Sequence, residues 1–476
     1  MLGEGMIAAA GEGKTRPWIG AELKALTGLA IPIAAANLAE MAMVLTNMVM
    51  MGRLGAATLA AGGLGGNLLW CVTVIPLGIM MAVGAVAAHA SGGGNRRAVG
   101  RAAGQGLVIA AVLSLPTIAA LWWTGPVIAG FGADAEVAPL LREYLRAICW
   151  CVPAILGFSV LQRFVSALFR PRLATVISVI AIALNALANE ALIFGRFGLP
   201  ALGVAGSGWA TTLVCWAEFL SLAAVVALTP YFRHYRPFGG AWPPHRPTLR
   251  EILTVGWPIG GSMAVESWFF LATGFLVWHF GTTALAAHQV AVSFSSISYM
   301  IVLALSHAAT YRVAHALGAR APLAARRSGT VSIVASLAFM GIVGLGMWVF
   351  AEPIVGIYLD LDEPANQPVL PIAITLIGIA ALFQIADGLQ CVAAGALRGL
   401  KDTRATFIAA LVGYWVAGLG SGLGLGFALD LGPAGLWIGL AVGLAAAGMV
   451  LTWRFHRKSG ALLAALPAAL PAAFPV

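Results

Sequence analysis

The sequence predicts an all-α integral membrane protein of twelve transmembrane helices arranged as two pseudo-symmetric six-helix bundles. Three observations carry this. The chain has 476 residues, 60% hydrophobic and 9% charged, with a mean hydropathy of +0.92, far from the balance of a soluble globular protein. Apolar runs of about 20 residues or more, enough to cross a bilayer as helix, recur along its whole length. Finally, the chain repeats itself at an offset of 226 residues.

The apolar runs cover 27–51, 60–88, 104–130, 138–165, 173–194, 204–229, 252–278, 284–315, 328–350, 367–396, 405–429 and 432–454, numbered helices 1 to 12. They are long and unbroken rather than alternating, so backbone hydrogen bonds in lipid are satisfied helically and not in a barrel. Trp18 to Leu26 reads as a short amphipathic lead-in lying at the membrane interface. No secretory signal precedes it, because the apolar runs before Lys14 are only a few residues long.

The repeat divides the chain. "LGAATLAA" from Leu54 overlies "FGTTALAA" from Phe280, "AHASG" from Ala88 overlies "AHALG" from Ala314, Pro32 falls on Pro258 and Glu40 on Glu266. The Pro-rich basic stretch from Thr229 to Arg250 then joins two lobes, 27–229 and 251–455, through a linker at 230–250, with segments 1–26 and 456–476 outside them. Six helices per half give both repeats one orientation, hence a two-fold axis along the membrane normal and a central cleft.

Charge supplies the orientation. Of 27 Lys and Arg, 22 lie in the amino-terminal segment, the carboxy-terminal tail and the loops or helix ends after helices 2, 4, 6, 8 and 10. Arg53, Arg142, Arg146 and Arg196 lie on the other side, and Arg163 within helix 4. Both termini are therefore expected on the cytoplasmic side of the membrane, and the basic excess implies no nucleic-acid partner. Five scattered cysteines form neither a disulfide framework nor a Cys-x-x-Cys pair and are read as packing residues.

Thirteen of the 18 acids sit in predicted loops or at helix ends, which leaves five within the spans: Glu40, Glu190, Glu218, Glu266 and Asp387. Glu218 has no counterpart acid in the second half, and snorkelling or an interhelical bond would account for it. Asn185 and Asn189 share an i, i+4 face beside Glu190, which suits interhelical bonding or ion coordination equally. Glu266 and Asp387 lie deepest, too far from either helix end to reach bulk water, with no Lys or Arg in their own spans. Such carboxyls suit a group that exchanges a proton or a hard cation such as Na⁺. His288 and Gln289, opening helix 8, either line the cleft or pack its end.

Enzyme readings find no support. There is no His-x-x-x-His with a Glu, no Gly-x-Ser-x-Gly elbow and no phosphate-binding Gly-x-x-x-x-Gly-Lys-Ser/Thr loop, and "SGGGN" from Ser91 reads as a turn. No cofactor is expected beyond the transported ion.

"MGRLGAATLAA" after helix 1, "AAHQVAVSFSS" opening helix 8, "QIADGLQCVAAGALRGLKDTRA" in helix 10 and "LGPAGLWIGL" opening helix 12 resemble the multidrug and toxic compound extrusion (MATE) transporters, in their bacterial NorM-like branch. The resemblance spans nearly the whole chain. It implies a MATE-type fold exporting amphiphilic, often cationic compounds in exchange for Na⁺ or H⁺, as a monomer. It implies that Glu266 and Asp387 serve cation coupling, with Na⁺ there the one candidate metal, and that Asn185 and Asn189 match amides of the amino-terminal lobe; Glu40 and Glu190, acids within the spans, complete the expected cation-coupling set. Asn47, Gln289, Ser293 and Phe383 are then the expected substrate contacts. The chain departs from the family at Asn47, usually Asp; at Glu40, commonly Gln; and at Phe383, where Na⁺-coupled relatives often have Tyr. A lipid-linked saccharide flippase of the same wider superfamily is the alternative, although its cleft would be rich in Arg and Lys.

Overall fold

The structure is a computed structural model that describes residues 17–130, 136–360 and 363–465. Among them are twelve helices long and apolar enough to span a membrane. They are α1 (Pro17–Gly52), α2 (Ala56–Gly92), α3 (Arg96–Gly130), α4 (Val137–Ala167), α5 (Arg172–Phe194) and α6 (Gly203–Leu228) in the first lobe. The second lobe comprises α7 (Arg246–Trp278), α8 (Thr282–Gly318), α9 (Pro322–Val349), α10 (Leu370–Gly399), α11 (Thr403–Ala428) and α12 (Gly432–Ala464). Local chemistry sets the ends. Asn95 accepts from the backbone N–H of Ala98 and so caps α3 within the expected "SGGGN" turn. Gly195 ends α5 with φ of 70°, a left-handed conformation that glycine adopts without strain.

Two boundaries differ from the sequence expectation. The Trp18–Leu26 stretch is not a separate interfacial element: α1 begins at Pro17 and carries these residues against the second lobe. There Arg312 of α8, only 5% exposed, pairs with Glu22 at 2.6 Å, Ser328 of α9 donates to the same carboxylate, and the Arg327 guanidinium lies 4.8 Å over the Trp18 ring. An ion pair screened from water on one side explains why the helix does not end where the apolar run ends. At the other terminus α12 continues to Ala464, ten residues past the expected end, and residues 466–476 lie outside the described residues.

The lobes exchange their leading turns. Leu26, Leu29 and Ala30 of α1 are buried in a cluster otherwise built from α8, α9, α10 and α12, whereas Ile252, Val255 and Ile259 of α7 are buried in the core of the first lobe. Just past these crossings stand Pro32 and Pro258, which each delete a backbone hydrogen bond where the helix passes between lobes. The linker is clamped as well. Gln105 of α3 donates to Gly240 O at 2.7 Å and accepts from the His245 N–H at 3.1 Å.

At the same end α2 and α8 cross through the repeated motif. A methyl group on Gly92 would run into the His315 carbonyl, and one on Gly318 into the His89 carbonyl. Inter-lobe contacts continue upward through Asn37 Nδ2 to Met300 O (3.1 Å) and end at Trp70 Nε1 to Ser267 Oγ (3.2 Å). Beyond that level no hydrogen bond or ion pair joins α1 or α2 to α7 or α8 among the described residues. The polar contacts between the lobes thus stop short of the end opposite the basic loops.

Gly318→Ala is expected to lower the stability of the detergent-purified protein by about 1–3 kcal/mol through overpacking at the crossing. Gly63→Ala on the same type of helix, where a Cβ meets open space, is expected to cost nothing. Thermal unfolding of the two variants checks this, and equal effects would remove the close crossing.

Candidate functional site

Glu266 stands midway along α7 and Asp387 midway along α10, and the structure brings them within Coulombic range of one another. Asp387 is 3% exposed, and its Oδ1 has no hydrogen-bond partner. The Tyr299 hydroxyl of α8 donates to Glu266 Oε1 at 3.3 Å, and Tyr414 of α11, fully buried with an unpartnered hydroxyl, borders the same space. Two neighbouring carboxyls in a largely apolar site are costly to ionise together, because burial disfavours each charge and each charge disfavours the other. They hold a proton, or a hard cation whose oxygen ligands the carboxylates and phenols would supply. One turn before Asp387, Gln384 donates to Ser298 Oγ at 2.5 Å and leaves its own Oε1 unpartnered. Gln384 was not among the expected site residues, since an amide in an apolar run carries no charge to draw notice.

The amide pair of α5 forms a separate, neutral cluster in the first lobe. Asn189 Nδ2 donates to Asn47 Oδ1 at 2.7 Å and to Asn185 O at 2.8 Å, and Asn47 Nδ2 donates to Thr211 Oγ1 at 3.0 Å. Asn47, expected as a substrate contact, is thus buried in an interhelical network joining α1, α5 and α6. Glu190 is not part of this cluster. It pairs instead with Arg196, 66% exposed, at 2.7 Å, because one residue along the helix is turned about 100° away from the face that carries Asn185 and Asn189.

Glu40 is exposed in the middle of α1, with Gln162 and Arg163 of α4 beside it. Arg163 reaches across the lobes to His307 of α8, Nη1 to Nδ1 at 3.0 Å. Glu218 of α6, buried with Oε1 unpartnered, faces Glu40 and Ser178, so the first lobe also holds two acids in one region. The sequence showed Glu218 as an acid within a span, but only the packing of α6 against α1 and α5 discloses its neighbour.

Phe383 does not face the cleft. It is 2% exposed, wedged between Phe270 (6.1 Å between centroids) and Trp437 (5.6 Å), a position where an aromatic ring packs the lobe core instead of a substrate. Trp437 Nε1 in turn donates to His288 Nδ1 at 3.1 Å, which makes His288 a packing residue. Gln289 is exposed in a pocket of about 300 Å³ walled by Phe270, Leu271, Phe275 and Trp278, and Ser293 lies half-buried one turn further along α8.

Asn189→Leu strips a donor from two buried oxygens, and is expected to cost about 1–3 kcal/mol for the groups left unpaired. Glu190→Gln, losing only a solvated pair, is expected to stay within about 0.5 kcal/mol of the parent. Melting temperatures of the two purified variants distinguish these placements, and the reverse order would contradict them.

Comparison with known proteins agrees with this geometry. The MatE family model matches residues 32–189 and 258–422, two stretches that begin 226 residues apart, the offset of the internal repeat. A probable multidrug resistance protein NorM of Burkholderia pseudomallei is 41% identical over 435 residues, 91% of this chain and 92% of that protein. A protein of the same name from Pseudomonas aeruginosa is 41% identical over 443 residues, 93% and 91%. Among solved structures, a MATE in the bent conformation superposes with a TM-score of 0.84 at 19% identity over 95% of this chain and 99% of that one. A multidrug resistance MATE family transporter in the outward-facing conformation gives 0.83 at 19% identity over 94% and 99%. With its paired six-helix lobes, its acids at the heart of the second and relatives of this closeness along almost its full length, the chain belongs to the multidrug and toxic compound extrusion (MATE) family, in its NorM-like branch.

Proposed function

We propose that the protein is a secondary antiporter that exports amphiphilic, often cationic compounds by alternating access, driven by the inward movement of H⁺ or Na⁺. The observation that carries this is Asp387, 3% exposed with an Oδ1 that has no hydrogen-bond partner, beside a second, half-buried acid. A carboxyl in that position is stable only while it holds a proton or a cation, so ion occupancy and conformation are tied together. Coupling then requires that the ion bind one cleft orientation better than the other. Relatives named as multidrug resistance proteins support the substrate class.

In this reading the cation enters at Glu266 and Asp387, with Tyr299 orienting Glu266. The substrate occupies the cleft between Glu40 in the first lobe and the Gln289 pocket in the second, whose aromatic walls and nearby acid suit a lipophilic cation. The excess of Lys and Arg on one side supports an orientation with both termini in the cytoplasm and the cleft facing away from it, the protein acting as a monomer in the inner membrane with no cofactor. A lipid-linked saccharide flippase would need cations facing its cleft. Here Arg398 and Arg312 are buried and Arg163 is engaged with His307.

Reconstituted in liposomes, the protein is expected to move a fluorescent lipophilic cation under an imposed gradient of one ion, H⁺ or Na⁺. Drive by pH alone assigns proton antiport, drive by Na⁺ alone assigns sodium antiport, and no movement under either favours the flippase. Asp387→Asn is expected to abolish gradient-driven export, a loss of at least about thirtyfold if the coupling free energy of roughly 1–3 kcal/mol acts at both binding and release. Full export by this variant would remove Asp387 from the mechanism.

A further inference from the structure

Arg398, in the last turn of α10, is a cation buried without a partner. It is 7% exposed, its Nε and Nη1 make no hydrogen bond, and it joins no ion pair among the described residues. Arginine is almost never fully buried unless paired, and it stays charged in any protein environment. The sequence had assigned Arg398 to the loop after helix 10. The structure extends that helix past the apolar run and turns the guanidinium inward.

Its direction follows from the helix. Residues 387 and 398 are eleven apart, which is three turns and about 20° of rotation, so they share one face of α10. Helical side chains lean toward the amino terminus, and the long Arg398 stem therefore runs back toward Asp387. The wall between them is sealed by α8, where Ser306 donates to Cys391 O at 2.6 Å and Thr310 donates to Gly395 O at 2.8 Å. Glu266 of α7 lies within Coulombic range of Arg398, yet the two form no ion pair; Glu266 accepts from Tyr299 instead. A second arginine of the helix bundle, Arg163, is engaged with His307, which itself lies within range of Arg163 and Arg398. A guanidinium with two unpartnered nitrogens thus lies on the same helix face as Asp387 and within Coulombic range of Glu266.

We propose that Arg398 is a tethered counter-charge for the acidic pair: its guanidinium moves to Glu266 when the coupling cation is absent, and the arriving cation displaces it. This rests on the reading that Glu266 and Asp387 hold the transported cation. A carrier that has released its ion must otherwise reset with uncompensated carboxylates in a dry site, which is costly. A competitor fixed to the protein lowers cation affinity and speeds the return. Arg398 is a positioning residue in this scheme, since it acts on the acids and not on the substrate.

The test uses the full chain as wild type, Arg398→Gln, Arg398→Lys, Glu266→Gln and the Glu266→Gln/Arg398→Gln double variant. In proteoliposomes, the concentration of the driving cation that gives half-maximal export is measured with a fluorescent lipophilic cation as cargo. Removing the competitor in Arg398→Gln is expected to shift that concentration about tenfold lower while slowing turnover, and Arg398→Lys is expected to remain near wild type. A merely structural role would weaken cation dependence or leave it unmoved, and either result overturns the proposal. In parallel, the melting temperatures of the purified wild type, both Gln variants and their double are compared as a cycle. The proposal requires a non-additive cycle, the double variant being more stable than the two single losses imply, and additive melting temperatures overturn it whatever the transport result. If neither ion drives the wild type, the cation reading fails by itself, and the cycle alone decides whether Arg398 pairs with Glu266.

Discussion

The crossing of the two lobes at their basic end is the constraint on which the rest depends. The leading turns of α1 and α7 are each buried in the opposite lobe, and α2 meets α8 at Gly92 and Gly318 with no room for a side chain. Contact on one side of the membrane leaves the other side free to separate. The cleft, the position of Glu40 on its wall and the enclosure of Glu266 and Asp387 behind it all follow from where the lobes touch. Packed interfaces of this kind have discrete arrangements rather than continuous ones, which is what alternating access requires.

The two lobes are alike in backbone and different in chemistry. The second holds an acidic pair with tyrosine hydroxyls and a buried arginine; the first holds a neutral cluster of Asn47, Asn185, Asn189 and Thr211, with its acids displaced to Glu40 and Glu218. Neutral amides bridge helices without a charge to compensate, so that cluster ties α1 to α5 and α6 as a unit. The charged chemistry therefore concentrates in the second lobe, while Arg163 and His307 carry contact from one lobe to the other.

The fold was legible because lipid leaves few choices: apolar runs had to be helices, and the 226-residue repeat paired Glu40 with Glu266 and the two motifs that cross at Gly92 and Gly318. Depth within an apolar run was enough to single out Glu266 and Asp387. What failed was the side chain's direction and the helix's true end. Phe383 and Asn47 lie on the expected helices but turn into the lobe interiors, Glu190 turns out to Arg196, and Arg398 is buried because α10 outlasts its apolar run. Trp18–Leu26 has an amphipathic pattern that suits a membrane surface and a protein groove equally well, and only the presence of Arg312 and Ser328 opposite Glu22 decides between them.

The central claim is that Glu266 and Asp387 together hold an exchangeable cation. The most direct measurement follows the ion itself: purified protein in weakly buffered detergent is mixed with a saturating lipophilic cation, and released protons and released radioactive Na⁺ are counted. The account predicts release of one of these ions from the wild type and none from the Glu266→Gln/Asp387→Asn variant. Equal release from both proteins would contradict it.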